Sequence, residues 1–148
     1  MKQFACTVAR SYAKATTLVD YLQPLALLAA RFYVAWVFFA AGLTKIKDWE
    51  TTLWLFEEEY SVPFLPYELA AFLGTAGELV LPVLLVLGLA TRFGAAGLFV
   101  VNIIAVISLE DIAPAAYTLH VLWGVLIAQL VVFGGGFFSV DRWVIGKS

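Results

Sequence analysis

Cysteine and histidine each occur once in the 148 residues, as Cys6 and His120. One cysteine permits no intramolecular disulfide, no CxxC redox pair and no thiolate-held cluster. One histidine rules out bis-histidine haem and any multi-histidine metal site within a single chain, so no metal site is expected. A redox cofactor would have to be held by few protein ligands, by a partner, or at a subunit interface. Charge is scarce as well: 14% of residues are Asp, Glu, Lys or Arg, against about a quarter in an ordinary soluble domain. Hydrophobic residues make up 63% and mean hydropathy is +0.93. Water is therefore not the main solvent of this chain, and the expected class is all-α, a polytopic membrane protein. The lipid bilayer is its first partner; no nucleic acid is expected.

Spanning hydrocarbon takes about 20 helical residues. Apolar runs predict spans at about 22–44, 67–90, 93–109 and 115–133, forming a four-helix transmembrane domain over 22–133 followed by a short tail, 134–148. If the four alternate, Lys2, Arg10, Lys14, Arg92, Arg142 and Lys147 fall on one side and only Lys45 and Lys47 on the other. That bias predicts that both termini are cytoplasmic. The outer loops carry the acids, Asp48, Glu50 and Glu57 to Glu59 in the first, Glu110 and Asp111 in the last. The Glu57-Glu58-Glu59 run reads as a solvated face, with a cation or basic-partner site as the alternative. In the first loop Trp49, Leu53, Phe56 and Tyr60 share one helical stripe, which predicts a short interfacial helix stopped by Pro63 and Pro66.

Residues 1–21 make a poor signal peptide: the apolar run starts late, contains Arg31 and has no clear small-residue cleavage site. They are expected to stay attached. Phe4, Val8, Tyr12, Ala15 and Val19 recur at helical spacing among cations, which predicts either a helix lying on an anionic membrane face or a basic tail without fixed structure. Trp49, Trp54, Trp123 and Trp143 read as interface anchors. Gly94 and Gly97 form a small-residue face that permits a homo-oligomer.

Ionised side chains inside spans must be sheltered, paired or neutralised. Arg31, Ala35, Phe38, Gly42 and Lys45 share one face of the first span. Depths counted from the inner helix ends put Arg31 about 13 Å and Glu78 about 18 Å into neighbouring spans, so the two are expected to meet. Pro82 has no amide hydrogen, which frees the Glu78 carbonyl beside its carboxylate. Such a patch suits a guanidinium. Two readings stand: a buried Arg31–Glu78 ion pair fixing helix register, or a polar pocket binding a quinone carbonyl, a small anion or a proton. Asn102 and His120 could face the same interior; a neutral histidine bonded to a neighbouring carbonyl is one account, proton transfer or ligand binding the other. The candidate buried polar or ligand-binding residues are thus Arg31, Lys45, Glu78, Asn102 and His120.

RFYVAWVFFAAGLTKI, GELVLPVLLVLGLATR and the closing GGGFFSVDRWV together resemble the DoxX family, over about 25 to 145. The resemblance rests on Arg31, Gly42, Lys45, Glu78, Gly88, Arg92, Ser139 and Asp141. LFEEEYSVPFLP and HVLWG look most like members associated with small metal- or stress-response gene sets. The resemblance implies a four-helix, multi-pass inner-membrane protein. It also implies a link to thiosulfate-to-quinone electron transfer or to membrane complexes handling oxidative or thiol stress, in a family many of whose members are named oxidoreductases without a known substrate. The leading expectation is an accessory subunit with a protein partner in such a system, its polar pocket at Arg31 and Glu78 open to a quinone-like or lipid head group. Catalysis by this chain alone is not required. The rivals are a quinone-linked oxidoreductase subunit, with Glu78 or His120 relaying protons, and a small transporter or channel.

Overall fold

The computed structural model describes residues 10, 12–14, 16–17 and 19–146. The described residues before 21 are helical, with Tyr12 and Val19 exposed; Phe4, Val8 and Ala15 of the proposed surface stripe lie outside the described residues. Six helices follow: α1 (Gln23–Lys47), α2 (Trp49–Glu58), α3 (Tyr67–Leu87), α4 (Thr91–Ile107), α5 (Pro114–Phe133) and α6 (Val140–Ile145). Their boundaries have local causes. Pro24 and Pro114 sit in first turns, where a missing amide hydrogen costs nothing. Asp48 leaves helical geometry between α1 and α2 and accepts from the Thr51 amide and hydroxyl, capping α2. That hydrogen bonding holds the Asp48 carboxyl below its ordinary range. Gly88, at φ +69°, ends α3 three residues earlier than the apolar run suggests.

α1, α3 and α5 are long and apolar enough to cross a membrane. The apolar α4 has 17 residues, about 25 Å, at the lower limit for a span. α1 packs on α3, α3 on α4 and α4 on α5, and α5 closes back on α1. Leu27, Val34, Ala35, Phe38, Leu85, Ala95, Leu98, Ile127 and Leu130 form the shared core. Outside it, Phe32, Trp36, Phe72, Val80, Phe93, Val100, Val125 and Val132 are exposed on the bundle's flanks. So much outward apolar surface on a helical bundle is a lipid-facing coat.

α2 lies against α3 as its stripe predicts: Trp49, Leu53, Phe56 and Tyr60 are half-buried, while Glu57, Glu58 and Glu59 are exposed. The Ser61 amide donates to the Ser108 carbonyl at 2.9 Å, tying the α2–α3 loop to the α4–α5 loop at the end of the bundle expected to face outward. Gly94 and Gly97 do not form a free face. A methyl group at either would lie 2.7–2.8 Å from Leu85 or Leu81 of α3, so both glycines serve packing within the chain.

Candidate functional site

Arg31 and Glu78 do not meet, which corrects the expected pairing. A Cβ at Gly42 would lie 3.1 Å from Cβ of Glu78. Glu78 is therefore level with Gly42, eleven residues along α1 from Arg31, or about 16 Å. Arg31 is instead level with the turn after α3, where a Cβ at Gly88 would lie 2.6 Å from its Nη2. Counting depth from each helix end assumes that both helices begin in one plane. The eight residues of α1 before Arg31, about 12 Å, extend below the end of α3, and the segment after α5 packs on one side of them, where Gly136 lies against Leu27.

Arg31, 1% exposed, spends its guanidinium on four carbonyls. Nε donates to Leu85 (2.8 Å), Nη2 to Val86 (2.9 Å), and Nη1 to Gly135 and Phe138 (2.8 Å each). The first two belong to the last turn of α3, where carbonyls run out of amide donors four residues on and the helix dipole is negative; the Leu85 carbonyl also accepts from the Gly88 amide at 3.1 Å. The other two belong to the segment leading into α6. Asp141 completes this knot from the opposite direction: its carboxylate accepts from the amides of Ala90 (2.6 Å) and Thr91 (2.8 Å), and its own amide donates to Gly88 (2.9 Å). It thereby caps α4 from fifty residues away and holds Ala90 at φ +46°. Burial pushes the Asp141 carboxyl up, but the Thr91 and Ala90 donors and the nearby Arg31 charge outweigh it, leaving it below its ordinary range. Ser139, buried against Gly88, donates to Gly136 at 2.8 Å. These bonds close the inner end of the bundle; among the described residues, the fifth guanidinium hydrogen and the buried Thr91 hydroxyl are left without a partner there.

Glu78 belongs to Lys45. The Lys45 Nζ donates to both carboxylate oxygens, joining α1 to α3 toward the outer end. The Glu78 side chain is 9% exposed and the Lys45 side chain 23%. α2 braces the pair: the buried Thr52 hydroxyl lies 3.0 Å from the Lys45 carbonyl and 2.9 Å from the Asp48 carbonyl, and α1 runs to Lys47 rather than stopping near 44. Thr75, one turn before Glu78 on α3, has a buried hydroxyl with no partner among the described residues. The half-buried Tyr60 lies within reach of the Glu78 charge, its phenol pushed up by burial and then by the charges of Glu59 and Glu78.

Asn102 and His120 form a second cluster, between α4 and α5. Asn102 Nδ2 donates to the His120 carbonyl (3.0 Å), and Asn102 Oδ1 lies 2.9 Å from His120 Nδ1. Trp123 packs its ring edge-on against His120 and Phe38 and donates to the Tyr33 hydroxyl at 3.3 Å. Nine residues into α5, about 13 Å from its outer end, it is a bundle residue and not the interface anchor its type suggests. Of the five candidate residues, the fold thus brings together Lys45 with Glu78 and Asn102 with His120, and sets Arg31 apart. Asp141, Ser139 and Gly88, which carry the inner knot, have no role legible from local spacing alone.

A helical bundle with an apolar coat, an inward-facing arginine satisfied by backbone carbonyls and a lysine–glutamate ion pair between two of its helices defines a polytopic α-helical membrane protein. Residues 26–111 match the family model described as DoxX, and the chain belongs to the DoxX family. It is also similar to a protein of Haemophilus influenzae described as an uncharacterized protein, 30% identical over 126 residues, covering 79% of this chain and 82% of that one. No solved structure matches the chain.

Proposed function

We propose that this chain is an accessory subunit of a membrane redox or metal/oxidative-stress system, held in the inner membrane with both termini cytoplasmic, and that its ligand-facing polar site is Lys45–Glu78 rather than Arg31–Glu78. The observation that carries this reading is the unequal use of the two cations. Arg31 is fully buried and spends four donors on backbone, whereas Lys45 spends two of its three donors on Glu78 and stays partly exposed near the outer rim. The remaining ammonium hydrogen suits an oxygen acceptor, such as a quinone carbonyl or a lipid phosphate. The buried Thr75 hydroxyl, one turn before Glu78 on α3 and without a partner among the described residues, is a second polar group near the pair. The redox or stress assignment is supported by the family resemblance and by the scarcity of cysteine and histidine, which suits a supporting role beside a partner that supplies the redox centre.

The test is purification from native membranes of the wild-type chain, Lys45→Met and Glu78→Gln, with mass spectrometry of bound quinones, lipids and subunits. The wild type should retain a head group that both folded variants lose. Equal retention by all three would remove Lys45–Glu78 as the site.

A further inference from the structure

The Asn102–His120 pair fixes more than a contact. A backbone carbonyl can only accept, so the Asn102 atom facing the His120 carbonyl is the amide nitrogen, and Oδ1 is turned to the imidazole. Oδ1 can only accept as well, so Nδ1 carries the proton. Among the described residues no Asp, Glu, Lys or Arg lines the groove beside the ring, so none of them favours an imidazolium. The ring is neutral, and its other nitrogen, Nε2, is a bare acceptor with no protein partner among the described residues.

That acceptor belongs to a residue lining an open groove of about 370 Å³ between α4 and α5. Phe99, Ile103, Val121 and Val125 make its walls apolar, and Tyr117 stands one turn closer to the outer end. His120 is six residues from the start of α5 and Asn102 five from the end of α4, so the pair sits about 8–9 Å inside the outer helix ends. An acceptor at this depth, on a half-buried residue lining an apolar open groove, selects a molecule that brings a hydrogen-bond donor on an apolar body. The aromatic lining of Phe99, Tyr117 and His120 favours a ring over a chain for the part beside the donor.

We infer that the α4–α5 groove binds an apolar phenol dissolved in the outer leaflet, its hydroxyl donating to Nε2 of His120 while Asn102 holds the imidazole in the accepting tautomer. The site is separate from Lys45–Glu78 and does not rest on the function proposed for that pair.

The test uses the full chain, purified without a histidine tag, in phosphatidylcholine nanodiscs, with 4-octylphenol and its methyl ether as probes. The two differ in the donor and little in shape. Because His120 is the single histidine, its ring nitrogens give unambiguous ¹⁵N signals in side-chain-labelled protein. The phenol should bind about tenfold more tightly than the ether, in keeping with one hydrogen bond, and should shift Nε2 while Nδ1 stays protonated. His120→Phe should remove the difference between the probes without abolishing partition of either. Equal binding of phenol and ether by the wild type, or an unmoved Nε2, would overturn the inference. So would a native mass spectrum showing a dimer that excludes both probes, since a second copy would then occupy the groove.

Discussion

Arg31→Lys keeps the positive charge and removes the planar fork. The guanidinium reaches four carbonyls on two separate segments, Leu85 and Val86 at the end of α3 and Gly135 and Phe138 before α6. A lysine ammonium is a compact point with three donors and cannot span both. At least two charge-assisted bonds are lost, at about 1.5–3 kcal/mol each. The lower figure applies, because a chain unfolded within a membrane environment finds other partners for its polar groups. The expected loss is therefore about 3 kcal/mol, which in a marginally stable protein shifts the folded-to-unfolded ratio by about two orders of magnitude. Equilibrium unfolding in mixed micelles, followed by tryptophan fluorescence, measures it. An Arg31→Lys variant within about 0.5 kcal/mol of wild type would refute the inner knot as the role of this residue.

Gly88→Ala and Gly146→Ala share a positive φ but differ in surroundings. A Cβ at Gly88 would lie 2.7 Å from the Ser139 backbone, while one at Gly146 would meet nothing within 4 Å among the described residues. The Gly146 variant should lose about 1 kcal/mol from backbone strain alone, and the Gly88 variant clearly more in the same unfolding assay. Asp141 titrates lower in the folded chain than its ordinary value of 3.8, so its stabilising contribution is present above that pH and lost as pH falls through the folded value. Melting curves taken across that acid window should show a decline in the wild type that Asp141→Asn flattens; parallel declines would count against the cap. Single cysteines placed at Ser61 and at Ser148 in a Cys6→Ser background should react with an impermeant maleimide from opposite sides of intact cells, Ser61 from outside.

Much of the fold was legible because apolar length and helical spacing carry it. The stripe Trp49, Leu53, Phe56, Tyr60 located α2 and its buried side, and the shared face of Arg31, Ala35, Phe38 and Gly42 is the face that packs inward. Periodicity gives the direction in which a residue points around its helix and not its height relative to a neighbour. Arg31 and Glu78 point correctly into the bundle but stand about 16 Å apart along it, an offset set by where α1 begins relative to the end of α3. The same limit hid the cap of α4: Asp141 reaches Thr91 across fifty residues, and no local signature marks such a pair. Asn102 and His120 were legible as inward residues, yet the tautomer follows only from seeing which carbonyl the amide faces.

The central claim is that Glu78 pairs with Lys45 and Arg31 pairs with backbone. Folded yield after paired charge reversal tests it most directly. Lys45→Glu with Glu78→Lys should recover much of what either single reversal loses, whereas Arg31→Glu with Glu78→Arg should be at least as damaged as its worse single variant. Recovery in the second pair and none in the first would contradict the account.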